Sequence, residues 1–490
     1  MSTSHLPDYY EILGVAPTAP VAEIHKAARQ LSEKFPEEVR DPDGNVAFRQ
    51  LMMAYETLSN EQRRAEYDRQ RAQRRPDILQ VGIQSSRPNL EALNGEQLLY
   101  LLVTLRPPSA QNKSETPVNL ALVFDRSTSM RAERLEQVKS AVRQVVEKMG
   151  SEDIISLTSF SDRAEVITPA TRLKDKAKIL RQLHDVRTTG GTEIFQGLQA
   201  AYDQLRRAPL GRYINHLVLL TDGHTYGDEE ECLRLAQQAA DQGITISAFG
   251  IGTDWNDDFL DRLVAPSGGR SAYVARPEQI VMYMREEVGG LGTLYAQRVR
   301  LKNQLPEDVS CNYAIKLSPF AQPLDCSGEA MHLGAVEGRA PLTFLLELKV
   351  APQRLGGEVV IPLTFVTDIP SLQLQDRAFH YEQRFEVVTE AEMSPPPQVV
   401  KAVEMLSLHR LNELAWQDFE VGNTLKATRR MDWLATRLME TGHTTLAQQA
   451  AMEKERLISM DSLSASGRKQ LKYGTRALLT RAITLTGNDD

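Results

Sequence analysis

Oxygen donors recur at three places along the chain, each next to an apolar run or a tight turn. The stretch NLALVFDRSTSM, residues 119–130, ends in a carboxylate and two hydroxyls at alternate positions, Asp125, Ser127 and Ser129. VRTTGGTEI presents Thr192 directly behind Gly190 and Gly191, two residues that let the backbone turn tightly. LVLLTDGHT finishes a second apolar run with Thr221, Asp222 and Gly223. Asp125, Ser127, Ser129, Thr192 and Asp222 together are two anionic and three neutral hard-oxygen donors. That set suits Mg²⁺, with Ca²⁺ or Mn²⁺ as the alternatives; Ca²⁺ wants more ligands in a looser shell. A cation held by only two carboxylates stays electrophilic, and an external carboxylate can fill its open position.

For these donors to meet, the elements before them must be strands of one sheet. Leu120–Phe124 and Leu217–Leu220 are continuous apolar runs, as in strands buried on both faces. Strands expected at Val118–Phe124, Ile154–Phe160, Ala164–Ile167, His216–Thr221, Ile244–Gly250 and Ala272–Val274 alternate with helices. The helices are expected at Arg134–Met149, Lys174–Val186, Ile194–Arg206, Asp228–Gln242, Asp257–Val264 and Pro277–Val288. This alternation predicts a doubly wound, mostly parallel sheet over 118–292, covered on both faces. In such sheets ligands bind in the crevice outside the carboxyl ends of the strands.

The flanks read differently, so the whole is a multidomain α/β chain. Residues 1–75 are helical in pattern, with helices expected at Asp8–Leu13, Ala22–Phe35, Val46–Leu58 and Glu61–Arg69. Strand-like runs over 78–106, including LLYLLVTL, precede a polar linker, and 294–390 consists of strands separated by Pro and Gly, as in a β-sandwich. Strands on both sides of 118–292 predict that this segment is inserted into a single sandwich. After the run Ser394–Pro397, residues 398–486 should be packed helices, with Ala415, Trp416, Phe419, Trp433, Leu434 and Leu438 facing a core and no 34-residue repeat.

Composition excludes several functions. At 490 residues the chain exceeds what a single core supports. With 65 acidic against 57 basic residues, its net charge of −8 gives no reason to expect nucleic acid as a partner. Three cysteines, Cys232, Cys311 and Cys326, with no C-x-x-C spacing, indicate neither a disulfide framework nor a zinc cluster and fit a reducing cytoplasm. MSTSHLPDYY carries no basic n-region and no apolar h-region, and no window approaches the roughly 20 apolar residues of a membrane span, so a soluble, unsecreted chain is expected. Phosphate-binding glycine motifs are missing, and no general base is positioned beside the oxygen donors, so a non-enzymatic role is expected. The acidic run Gly227–Glu231 reads as a helix N-terminus, the basic run Arg63–Arg75 as a solvated face, His224 as incidental and Cys232 as a small buried hydrophobe.

Two segments resemble known families. D-x-S-x-S, a distant Thr in G-G-T-x-I and a later T-D-G, supported by FGIGTDWNDDFLDRLVAPSGG, resemble the von Willebrand factor type A domain with its metal-ion-dependent adhesion site. The resemblance implies that Ser127, Ser129 and Thr192 coordinate the ion directly or nearly so and that Asp125 and Asp222 act partly through water. It further implies that a protein partner supplies an Asp or Glu. DYYEILGV and FRQLMMAYETLSNEQRRAEYDR resemble the start and finish of a J domain, through Asp8, Tyr9, Leu13, Gly14, Phe48, Ala54, Tyr55, Leu58, Tyr67 and Asp68. That family acts on a chaperone ATPase through His-Pro-Asp after its second helix. Here Phe35-Pro36-Glu37-Glu38 stands in that place, and Asp41-Pro42-Asp43 further on lacks the imidazole. The expectation is a cytoplasmic interaction protein; a co-chaperone, or an adaptor of an AAA-type ATPase, is the alternative.

Overall fold

Apolar residues three or four positions apart build the first helices around a small core of their own. The computed structural model describes residues 9–13, 15, 20–32, 46–60, 62–65, 67, 79–108, 116–130, 133–224, 227–338, 340–372, 374–392 and 394–486. They belong to two compact units, 1–78 and 79–490. In the first unit, α1 (Tyr9–Leu13), α2 (Val21–Ser32) and α3 (Val46–Leu58) bury Leu13, Ile24, Ala28, Phe48, Leu51, Ala54 and Leu58 together with Tyr67. Tyr9 stacks on Tyr67 with ring centroids 4.6 Å apart, and its backbone N–H donates to the Tyr67 hydroxyl at 2.8 Å. Asp8, Gly14 and Asp68, and the stretch 33–45 with Phe35-Pro36-Glu37-Glu38 and Asp41-Pro42-Asp43, lie outside the described residues.

The second unit opens with β1 (Gln80–Ser85), β2 (Leu90–Glu91) and β3 (Gln97–Arg106). An α/β segment follows. Its elements are β4 (Val118–Asp125), α4 (Glu133–Lys148), β5 (Ile154–Phe160), β6 (Ala164–Arg172), α5 (Lys176–His184) and α6 (Ile194–Leu205). They continue with β7 (Ile214–Thr221), α7 (Glu229–Asp241), β8 (Ile244–Ile251), α8 (Asp257–Val264), β9 (Ser271–Val274) and α9 (Ile280–Leu291).

The strands form one sheet of order β6-β5-β4-β7-β8-β9, parallel except for β6 against β5. Successive residues of a strand point to opposite faces, so β4 divides its apolar run between two cores. Leu120, Leu122 and Phe124 pack with residues of α4, α5 and α9, such as Val142, Ile179 and Met284. Ala121 and Val123 pack on the other side with Leu198, Leu235 and Leu263 of α6, α7 and α8.

Seven further strands complete the sandwich: β10 (Leu294–Lys302), β11 (Val309–Ser318), β12 (Gln322–Pro323), β13 (Ala330–Glu337), β14 (Leu342–Val350), β15 (Glu358–Ile369) and β16 (Leu374–Val388). One sheet has the order β1-β3-β14-β11-β12 and the other β13-β10-β15-β16-β2. Strands from before and after the α/β segment therefore share both sheets. Phe344 and Phe365 meet across the two sheets at 6.3 Å. The outer face of β3 and β14, through Leu102 and Leu345, joins the core of the C-terminal helices α10 (Pro397–Glu420), α11 (Thr424–Glu440), α12 (Thr444–Met460) and α13 (Ala465–Thr486). Among the described residues, no helix is long and apolar enough to cross a membrane.

Three sequence expectations change. The β6 strand extends to Arg172, beyond Ile167, because it follows β5 antiparallel down to Ile154. The helix expected at Pro277–Val288 begins with a 3₁₀ turn, Pro277–Gln279, and α9 then absorbs Gly289 and Gly290. Trp433 is 58% exposed rather than in the core. On α11 the buried stripe is Ala427, Met431, Leu434 and Leu438, and a neighbour one position from Leu434 turns about 100° away from it.

Candidate functional site

The parallel register of β4 and β7 sets Phe124 beside Leu220, so the residues that leave these strands emerge side by side. Strand order also reverses here, since β5 lies on one side of β4 and β7 on the other. The crevice between the two loops is the place where α/β sheets of this kind bind ligands.

Asp125 organises its own loop. Its Oδ1 accepts from the Ser127 backbone N–H at 2.7 Å, and its Oδ2 accepts from the Thr221 hydroxyl at 3.1 Å. The Ser127 and Ser129 hydroxyl oxygens lie 2.8 Å apart, and Ser129 donates to Asp222 Oδ1 at 2.7 Å. The other Asp222 oxygen accepts from Arg134 Nη1 at 2.5 Å. Arg134 stands in the first turn of α4, where a cation opposes the helix dipole; its placement answers to Asp222 instead.

The third loop is tied to the first by the Thr128 N–H donating to Gly190 O at 3.2 Å and the Thr189 N–H donating to Arg126 O at 2.8 Å. Gly190 has φ +71°, and the Gly191 N–H donates to Asp162 Oδ1 at 2.6 Å. A side chain on Gly190 would run into that carboxylate. Thr192 then lies against the T-D-G turn: a Cβ on Gly223 would stand 3.3 Å from Thr192 Oγ1. Four of the five donor residues, Asp125, Ser127, Thr192 and Asp222, are buried, whereas Ser129 is exposed. The cluster is therefore closed from below and open at one side.

Burial raises the Asp125 carboxyl from its ordinary value to about 6; hydrogen bonds from Ser127 and Thr221 work against the shift, and the nearby charge of Asp222 adds to it. Two buried carboxylates in one crevice with hydroxyls between them form an arrangement that a divalent cation would relieve. Among the described residues, no three His, Cys, Asp or Glu side chains converge as a metal cluster. A cation here would rest on hydroxyls with the two carboxylates, and the hard-oxygen donor set fits Mg²⁺. Sequence reading missed Thr221, Arg134 and Asp162. Asp162 was signalled by its place just past the carboxyl end of β5, and Arg134 by its unfavourable position at a helix start.

Comparison with known proteins assigns the segments. Residues 119–284 match the von Willebrand factor type A domain, 8–68 the DnaJ domain, and 397–481 the Sll0103-like, C-terminal alpha-helical domain. A Synechocystis sp. protein, "Uncharacterized protein sll0103", is 24% identical over 400 residues, covering 80% of this chain and 95% of its own. The chaperone protein DnaJ of Geobacillus stearothermophilus is 50% identical over 62 residues, 12% of this chain and 16% of that protein. The von Willebrand factor type A structure from Catenulispora acidiphila superposes with a TM-score of 0.64 at 15% identity, covering 81% of this chain and 96% of that one, which speaks for the fold. The chain therefore joins a J-like N-terminal segment to a von Willebrand factor type A domain and a Sll0103-like helical C-terminal domain.

Proposed function

We propose that the protein is a cytoplasmic, non-enzymatic interaction adaptor whose type A domain captures an Asp or Glu side chain of a protein partner through a bound Mg²⁺. Ser127, Ser129 and Thr192 would hold the ion directly, and Asp125 and Asp222 would hold it partly through water. When bound, the ion supplies an electrophilic position for the partner's carboxylate. The chain's own residues orient and shield that position: Thr221 fixes Asp125, and the Gly190–Gly191 turn seats Thr192. The observation that carries this reading is the linked set Asp125–Ser127–Ser129–Asp222, buried except at Ser129.

Calorimetric titration of the full chain with Mg²⁺ tests it. The native chain takes up one ion per molecule, and Asp125→Ala takes up none while keeping its circular dichroism spectrum. A partner captured by the native chain is lost both with chelator and with Asp125→Ala. Heat of binding that is equal in both proteins would overturn the reading.

The DnaJ match supports a second, co-chaperone-like role for the first unit. Phe35 in place of the expected histidine argues for docking without ATPase stimulation. A steady-state ATPase assay with a bacterial heat-shock chaperone separates the two, since docking alone leaves its turnover unchanged.

A further inference from the structure

Two of the three cysteines, fifteen positions apart in sequence, meet at the edge of the sandwich. Cys311 lies in β11 where its register with β14 shifts, between Cys311 and Tyr313. After the short strand β12 the chain runs back along β11, with the Leu324 N–H donating to Ala314 O at 2.9 Å. The segment is held further on, where Asn303 Nδ2 donates to Cys326 O at 3.0 Å. The Cys326 thiol is thereby placed 3.9 Å from the carbonyl oxygen of Cys311, and the Cys311 sulfur lies 3.6 Å from the Tyr313 carbonyl oxygen. Each thiol perturbs the ionisation of the other, in opposite directions. Both are half-buried and free, which leaves them open to a small oxidant.

We propose that Cys311 and Cys326 are a peroxide-responsive pair that closes into an intramolecular disulfide, stapling the segment after β12 to β11. The two cysteines are not equivalent. The neighbouring Cys311 thiol outweighs burial and brings the Cys326 thiol down to about 7, so Cys326 is the attacking thiolate. The neighbouring Cys326 and burial push the Cys311 thiol up, which leaves it protonated until its partner has reacted.

Cys326 attacks one oxygen of hydrogen peroxide; an S–O bond forms, the O–O bond breaks, and the departing hydroxide takes a proton to leave as water. The sulfenic acid so formed no longer carries the thiolate charge that disfavoured ionisation of Cys311. Cys311 then attacks the Cys326 sulfur; the S–S bond forms, the S–O bond breaks, and hydroxide leaves with the Cys311 proton as a second water. Two thiols lose two electrons and two protons, and the peroxide is reduced to two waters. A thiol reductant reverses the closure by exchange.

The third cysteine is a built-in control. Cys232 on α7 is fully buried, and burial pushes its thiol well above the ordinary range. Treating the full chain with hydrogen peroxide should lower the free thiols from three to one, leave a monomer lighter by two hydrogens, and be undone by dithiothreitol. Trypsin cuts after Lys316, between the two cysteines, so the oxidised protein yields one linked peptide pair containing Cys311 and Cys326. Cys311→Ser should stop at the sulfenic acid, which dimedone traps on Cys326, whereas Cys326→Ser should keep the Cys311 thiol over the same time. An unchanged mass in the native chain, separate oxygen adducts without a link, or disulfide-linked dimers would overturn the proposal.

Discussion

Asp125 spends both oxygens on positioning: one ties down the turn to Ser127 and the other meets Thr221 on the neighbouring strand. Removing the second partner should loosen the carboxylate without removing it. Thr221→Val is expected to weaken Mg²⁺ binding by about 10- to 100-fold, the range found for groups that orient a metal ligand, and calorimetry on the folded variant reads it directly. Arg134 has the opposite sense. Its guanidinium already neutralises Asp222 at 2.5 Å, so Arg134→Gln should tighten Mg²⁺ binding, and unchanged or weaker binding would show that this ion pair does not compete. At Gly190 the φ of +71° and the Asp162 carboxylate both exclude a side chain. Gly190→Ala should cost about 1–3 kcal/mol of stability from the backbone strain alone, read as a lowered denaturation midpoint.

At the scale of elements, α8 and α13 form an ionic clamp between the type A domain and the C-terminal helices. Asp257, Asp258 and Asp261 of α8 face Arg468, Lys472 and Arg476 of α13, with Arg476–Asp261 and Lys472–Asp257 at 2.7 and 2.6 Å. Tyr473 of α13 packs near Trp255 and Tyr273 beside them. Burial opposes ionisation of Asp261, but Arg476 and Lys472 overcome it and hold its carboxyl far below the ordinary range; Asp257 is lowered in the same way by Lys472. A lowered folded-state value means stability that is present above the ordinary carboxylate pKa, about 4, and is lost as pH falls through the folded value. Thermal midpoints should therefore hold at neutral pH and fall progressively below pH ~4. Asp261→Ala strands Arg476 in a buried site and should cost about 3–5 kcal/mol; a midpoint shifted no more than by the exposed Asp258→Ala would refute the clamp.

At the scale of the whole molecule, the sandwich is closed by strands from both sides of the α/β segment. β3 pairs with β14 from Gln97–Val350 to Leu105–Leu342, so the strands before the type A domain cannot be removed without opening a sheet. A chain beginning at Leu79 should fold and unfold in a cooperative thermal transition, since 79–490 is a compact unit of its own. A chain beginning at Thr116 should not, because it exposes the edge of β14 and the apolar faces that β3 covers. Equal unfolding cooperativity in the two shortened chains would contradict the inserted arrangement.

Periodicity made the alternating strands and helices of 118–292 legible, because a strand buried on both faces needs an unbroken apolar run and a covering helix needs a 3.6-residue stripe. It also drew attention to Asp125, Ser127, Ser129 and Asp222, since hydroxyls and carboxylates after such runs have no packing role, while Thr192 was marked by the Gly190–Gly191 turn before it. Which polar partners position them was not legible: the odd placement of Arg134 at a helix start marked it, but not its pairing with Asp222 across 88 residues, and nothing marked the contact of Thr221 with Asp125 across 96. Local pattern fixes which residues face a core, and so it determined the elements. Tertiary structure alone decided which side chains meet across loops, why Trp433 faces outward, how α13 locks onto α8, and that two cysteines with no motif spacing lie together at the edge of the sandwich. Those contacts depend on strand order and register, which a linear pattern does not encode.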